Sequence, residues 1–370
     1  MRVAGVWLPS TKLSCAISMQ LGACVPNFCV QESARGTGEW RRSPMTDLVT
    51  FGEAMVRLSP PGQRRLEQAT SLDVAVGGAE LNVAAGVARL GLSSAWVSCL
   101  PENPLGRLVR NKARELGVDV SHVAWDKGGR MGLYFVEYGA SPRPSSVLYD
   151  RGRSAIAEMR DGFEWAAILA GCRAFHTTGI TAALSDRTAA EVQAALTAAR
   201  AGGLLTSYDL NYRSKLWRPE RAREVQEPLM GLVDVLITTE EDTKTVFGIA
   251  GADYREVARR LADTYGFKVV TITLRGDTSV LRNTWTSIAW SDGAICDDRT
   301  YDIELVDRIG GGDAYAAGFI YGLLTADVAT GVRYGNAFSA LKQTSWGDLN
   351  YATLEEVDAL LKGGGSRIVR

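Results

Sequence analysis

The sequence predicts an α/β fold, a three-layer α/β/α sandwich with a mostly parallel central sheet and a small β-sheet lid. Short apolar strands alternate with helices along most of the chain, two stretches break that alternation, and no repeat period or low-complexity linker divides it. Alternation of this kind implies parallel strands joined by right-handed crossovers, with helices on both faces of one sheet.

Leu48 to Gly52 reads as a buried strand, and Ala79 to Leu90 as an alanine-rich helix stopped by Gly91 in the C-cap region. The strand Ala95 to Leu100 precedes the helix Leu105 to Leu116, and Ala174 to Thr177 precedes Asp186 to Ala201. Next come the strand Leu204 to Leu210, a helix around Glu220 to Leu232, the strand Asp234 to Thr238, the helix Tyr254 to Tyr265 and the strand Lys268 to Leu274. The stretches Met55 to Val76 and Met131 to Tyr149 lack intervening helices and read as the short antiparallel strands of the lid. A strand pair, Thr286 to Trp290 and Ala294 to Ile303, leads to the helices Gly312 to Leu324, Asp327 to Thr344 and Leu354 to Leu361.

The 370 residues are 46 % hydrophobic and 22 % charged, with 41 Lys+Arg against 42 Asp+Glu, which suits a globular protein and gives no electrostatic reason to bind nucleic acid or an anionic membrane. No apolar run approaches the roughly 20 residues that a bilayer requires. Five basic and two acidic residues precede Met45, so the body carries 36 basic against 40 acidic, net −4. Residues 1–44, with Cys15, Cys24 and Cys29 and no regular period, read as an appended, disordered extension; Pro9 and Lys12 interrupt a secretory pattern. The domain reads as residues 45–363, with lid strands drawn from about 55–76 and 131–150, and residues 364–370 as a tail. Cys99, Cys172 and Cys296 are scattered among apolar neighbours, as in a reduced, cytoplasmic protein. Neither His122 nor His176 sits in a zinc-ligand spacing, so small molecules are the expected partners and other groups carry the chemistry.

The most informative segment runs from Val306 to Phe319. Gly310, Gly311 and Gly312 end a strand region and open a helix, leaving unhindered N–H groups at a helix N-terminus, where they suit an anion such as a transferring phosphoryl group. Asp313 at the same terminus suits a base that takes a proton from an attacking hydroxyl. The same four residues also suit a loop and N-cap without chemistry. A Walker A loop lacks its Gly-Lys-Ser/Thr, and a dinucleotide fingerprint is spoiled by Tyr315.

Asp307-Arg308-Ile309-Gly310-Gly311-Gly312-Asp313, together with Gly77-Gly78-Ala79-Glu80-Leu81-Asn82, resembles the two signatures of the ribokinase-like (PfkB-type) sugar kinases, and most closely the 2-keto-3-deoxygluconate kinases. The resemblance covers Met45 to about Gly363. It implies the ribokinase-like fold and ATP-dependent phosphorylation of 2-keto-3-deoxygluconate at the 6-hydroxyl, with Asp313 as base and an anion hole at Gly310 to Gly312. Fructose or another ketose, or 2-keto-3-deoxygalactonate, stays open as the substrate, as does a non-catalytic sugar- or nucleotide-binding protein.

On the substrate side, Gly77-Gly78 permits close backbone approach, and the resemblance gives Gly78, Ala79 and Asn82 contacts to sugar hydroxyls. Tyr134 and Tyr149 suit the carbon face of a polyhydroxy acid and Arg151 its carboxylate, although each also suits ordinary surface. The family's tyrosine-x-arginine segment is matched here with Asp150 where many members have a second tyrosine. Asp209-Leu210-Asn211-Tyr212-Arg213 lies at a strand end, and the resemblance assigns Arg213 to the acid group and phosphates with Asn211 nearby. It also assigns Asp348 to substrate.

Thr273-Leu274-Arg275-Gly276-Asp277 ends a strand in a glycine turn suited to phosphate or ribose, with Arg275 standing where the family commonly has lysine. By resemblance, Asn336, Ser339 and Ala340 flank the adenine. Thr239 and Asp242 stand in place of the family's Asn-x-x-Glu, which organises water around Mg²⁺; Asp242 can act through water, and Glu240 or Glu241 are the alternatives. A homodimer through the lid sheets is implied, and activation by a monovalent cation is left open.

Overall fold

A computed structural model describes residues 46–364. The expectations for residues 1–44 and for the tail after 364 lie outside the described residues. The main sheet has the order β13-β12-β11-β10-β9-β8-β1-β4-β5. Its strands are β1 (Leu48–Phe51), β4 (Ser94–Pro101), β5 (Val123–Asp126), β8 (Ala174–Thr178), β9 (Leu205–Asp209), β10 (Val235–Thr238), β11 (Val269–Ser279), β12 (Arg282–Ser291) and β13 (Ala294–Asp297), with β14 (Tyr301–Glu304) pairing β12. From β5 across to β11 every neighbour is parallel; the β11–β12 hairpin begins an antiparallel edge. Two buried clusters flank the sheet, one built around Phe51, Phe175 and Val270, the other around Trp285, Tyr315 and Phe338.

Four further strands, β2 (Met55–Ser59), β3 (Asp73–Gly77), β6 (Leu133–Glu137) and β7 (Ser146–Asp150), form the lid in the order β3-β2-β6-β7. The hairpins β2–β3 and β6–β7 are antiparallel as expected, but β2 and β6 pair in parallel, because chain passing through the main sheet separates them. The alternation in β6 buries Tyr134 and Val136 and leaves Leu133 and Phe135 half-buried.

Most expected elements are present within a residue or two. Gly91 has the anticipated left-handed backbone at φ +94°, and Leu92 N–H closes the helix on Val87 O. Three differences matter. The single strand expected over Ala294 to Ile303 is broken at Asp298–Thr300, so that β13 and β14 pair different halves of β12. The Lys268 to Leu274 strand runs on to Ser279, which carries Arg275 and Gly276 in β11 rather than in a turn. The run from Thr239 to Asp242, for which no helix was expected, opens one, Glu240–Phe247, capped by the Thr239 hydroxyl and closed by left-handed Gly248. Cys99, Cys172 and Cys296 are free, Cys99 buried and the others half-buried. Among the described residues no helix is long and apolar enough to cross a membrane.

Candidate active site

The parallel strands deliver their C-terminal ends to one cleft of about 430 Å³, roofed by the inner face of the lid. Glu53 follows β1, Asp209 ends β9, Thr238 ends β10, and Thr273 and Arg275 project from β11. From the other side come Gly78, Ala79 and Asn82 at the start of the helix Ala79–Arg89, and Gly310, Gly312 and Asp313 at the start of the helix Gly311–Thr325. Segments 231 residues apart in sequence meet where Asn82 Nδ2 donates to Asp313 Oδ2 at 2.6 Å.

Gly310 is the residue preceding the first helical turn, with φ +83°, and a Cβ there would lie 2.1 Å from the Asp348 carbonyl oxygen. Glycine is therefore required on both counts. Gly311 does not line the cleft: it packs against Gln343, and its carbonyl accepts from Ser339 Oγ at 2.8 Å, which anchors the turn from below. Burial pushes the Asp313 carboxyl up to about 6, reinforced by the nearby Asp348 charge and opposed by Asn82, Arg213 and Lys342. A carboxylate so placed is ionised at neutral pH yet basic enough to hold a proton.

Asp209, Asp242 and Asp313 interact across the cleft. Asp209 rises to about 8, first through burial and then through its two acidic neighbours, and burial also raises Asp242. Asn211, at φ +41°, donates its N–H to Asp209 Oδ1 at 3.1 Å, and this turn presents Arg213 to the cleft. Arg213 and Arg275 carry no ion pair among the described residues; Arg275 instead lies over the Trp285 ring at 5.1 Å. The site thus sets carboxylates at its floor against two available guanidinium groups.

Arg151 has a partner that the sequence did not show. It lines the cleft, but its Nε donates to Glu53 Oε2 at 2.8 Å and its Nη2 is paired with the same oxygen, so the charge assigned to a substrate carboxylate is already neutralised. Tyr134 and Tyr149 stack at 5.9 Å, and Tyr134 Oη donates to Asp348 Oδ2 at 2.6 Å. Asp348 is held on its other oxygen by Arg57 Nη1 at 2.7 Å, and the same nitrogen lies 2.7 Å from Asp307 Oδ2. Asp307 also accepts from Tyr138 Oη at 2.6 Å and from Gly347 N–H at 3.0 Å. Arg57 and Tyr138 thus bind the lid to the glycine-rich motif through one buried ionic network.

Several nucleotide-side expectations lie off the cleft. Leu274 packs into the core because β11 alternates, with Thr273 and Arg275 taking the cleft side; Gly276 faces Thr284 across the hairpin. Asn336 is fully buried in the helix Val328–Gln343, and neither amide atom has a partner. The side chain of Asp277 is outside the described ones. Sequence reasoning missed Arg57, Glu53 and Lys342; a single arginine inside the apolar strand Met55–Ser59 was the available signal for the first.

A doubly wound sheet whose strand ends converge on a glycine-capped helix, a buried carboxylate and two unpaired guanidiniums defines a cleft for transferring an anionic group to a hydroxyl. The chain belongs to the pfkB family of carbohydrate kinases, whose pattern it matches over residues 45–352. It is 41 % identical over 325 residues to a 2-dehydro-3-deoxygalactonokinase of Haloferax volcanii, covering 88 % of this chain and 99 % of that protein. Identity to a 2-dehydro-3-deoxygluconokinase of Bacillus subtilis is 29 % over 316 residues, 82 % of this chain and 91 % of that one. The crystal structure of a 2-dehydro-3-deoxygluconokinase from Thermotoga maritima superposes with a TM-score of 0.84 at 42 % identity, over 86 % of this chain and 99 % of that chain.

Proposed function

We propose that this carbohydrate kinase transfers the γ-phosphate of ATP to the 6-hydroxyl of 2-keto-3-deoxygluconate, yielding the 6-phosphate. The observation that carries the reading is Asp313: a buried carboxylate with its pKa near 6, at the N-terminus of a glycine-capped helix and opposite two guanidiniums without ion pairs. Asp313 takes the hydroxyl proton as the oxygen attacks. The amides of Gly310 and Gly312, which line the cleft, hold developing phosphoryl charge, worth about 3–4 kcal/mol for a well-placed donor set, while the buried Gly311 N–H is spent on the Arg308 carbonyl. Arg213 pairs with the sugar acid and the phosphates, and Arg275 supports the phosphates. Gly78, Ala79 and Asn82 position the sugar beneath the lid, which excludes water.

The donor set suits Mg²⁺, since oxygens dominate the floor and the burial and acidic neighbours that lift Asp209 are both offset by a cation. Among the described residues no group of three His, Cys, Asp or Glu could hold a metal ion directly, so Asp242 is assigned a water-mediated role. Asp242 would hold the ion through water, and the ion would supply positive charge against the transferring phosphate.

The C4 epimer, 2-keto-3-deoxygalactonate, is the second reading, favoured by the 41 % identity to the Haloferax volcanii galactonate-type kinase. Val74 at 57 % and Leu148 at 60 % exposure leave apolar surface on the lid, and a lid-to-lid homodimer belongs to the same reading. An ATP-consumption panel with Mg²⁺ tests it: both 2-keto-3-deoxy acids, fructose, ribose and gluconate. We expect consumption with the gluconate-type acid at least tenfold above the neutral sugars. Preference for the galactonate-type acid selects the second reading, and preference for a neutral sugar overturns both.

A further inference from the structure

Lys342 sits at the end of the helix Val328–Gln343, with 0 % exposure and no carboxylate within ion-pair distance among the described residues. Its Nζ donates instead to two backbone carbonyls, Asp307 O at 3.0 Å and Ser345 O at 3.4 Å. A buried lysine normally sheds its charge or finds an acid. Burial does push this ammonium down, while the more distant charges of Asp307, Asp348 and Asp313 sustain it.

The two carbonyls come from the segments that frame the glycine turn. Asp307 opens the run into Gly310–Asp313, and Ser345 leads to Gly347 and Asp348, whose carbonyl abuts Gly310. The helix end adds a second tie, since Gln343 O accepts the N–H groups of Val306 and Asp307 at 2.9 and 3.2 Å. Carbonyl oxygens around a compact, spherical positive charge are also how proteins replace the hydration shell of potassium, and a lysine ammonium is a point charge of similar size on a tether.

We propose that the Lys342 ammonium is a built-in monovalent cation: it holds the Asp307 and Ser345 carbonyls together beneath the glycine turn and keeps a standing positive charge there, so the enzyme needs no dissolved potassium or ammonium. Lys342 is a positioning residue; it touches neither substrate nor nucleotide. The turnover arm of the test rests on the kinase reading, and the melting arm does not.

The native chain, Lys342→Ala and Lys342→Met are compared in tetramethylammonium, lithium, sodium, potassium and ammonium chlorides at fixed ionic strength, reading turnover, KM for ATP and melting temperature. Native turnover and melting are expected to be the same in every salt. Lys342→Ala, which empties a carbonyl-lined hole, loses at least tenfold in turnover in tetramethylammonium. It regains several-fold, and melts several degrees higher, in potassium or ammonium but not in lithium. Lys342→Met fills the hole without charge, stays slow and does not respond. The proposal is overturned by native turnover that rises several-fold with potassium, by near-native turnover of Lys342→Met, or by Lys342→Ala that ignores the ions. Should Lys342→Ala not fold, the native chain and Lys342→Met still decide. Should no substrate turn over, the kinase reading fails, and ion-selective melting of Lys342→Ala alone decides this inference.

Discussion

Arg151 and Arg213 face the same cleft, but their neighbours give them different work. Glu53 occupies the Arg151 guanidinium, which also lies 5.6 Å over the Tyr149 ring, so Arg151 shapes the wall of the cleft. Among the described residues Arg213 donates only from Nη1 to the neighbouring Tyr212 carbonyl, at 2.9 Å, and has charge to offer an anion. A charge-assisted hydrogen bond of this kind contributes about 1.5–3 kcal/mol. Arg213→Ala is therefore expected to raise KM for a carboxylated sugar tenfold or more while changing a neutral sugar by less than threefold; equal losses would argue against recognition of an acid. Asp313, Asn82 and Arg213 were legible because each sits in a short run that fixes its place at an element end. Arg57 was not: its partner Asp348 is 291 residues away, and only the folded chain shows why the strand tolerates a buried arginine. The Glu53 partner of Arg151 was hidden for the same reason, since it lies 98 residues away.

The helix that begins at Gly311 owes its geometry to what precedes it. Gly310 must adopt a left-handed backbone and pass within contact of the Asp348 carbonyl. Left-handed strain on a residue with a Cβ costs about 1–3 kcal/mol, and here the clash is with backbone, which cannot rotate away. Gly310→Ala is expected to lower the melting temperature by several degrees and turnover more than tenfold; a variant with native turnover would show the turn to be a cap without chemistry. The strand-helix alternation was readable because amphipathic helices and buried parallel strands carry distinct periods. Less readable were places where tertiary pairing overrides local pattern, such as β11, drawn past Leu274 by its antiparallel partner β12.

Across the whole molecule, parallel strands collect buried acids at one end of the sheet, and this has a cost measurable without substrate. Glu80 is raised to about 7 by burial, despite hydrogen bonds from Thr178 and Thr181, and Asp209 to about 8. Both folded-state values exceed those of the unfolded chain, so the stability they contribute is complete below about pH 4 and is lost as pH rises through 7 and 8. His176, pushed down to about 3 by burial, acts with the opposite sign but only below the unfolded histidine value near 6.5. The ligand-free protein is thus expected to melt at a lower temperature at pH 9 than at pH 7. Melting that rises over this interval would mean that these acids are already ionised in the folded state.

Asp313→Asn tests the central claim most directly. The amide keeps an oxygen for the Asn82 donor but cannot take a proton, so turnover is expected to fall about 10²–10⁴-fold, with ATP affinity unchanged within a few-fold. The native chain should lose turnover as pH drops through about 6, as its Asp313 carboxylate is protonated. An Asp313→Asn enzyme that keeps native turnover at pH 7.5 would contradict the assignment of the base, and with it the account of this cleft.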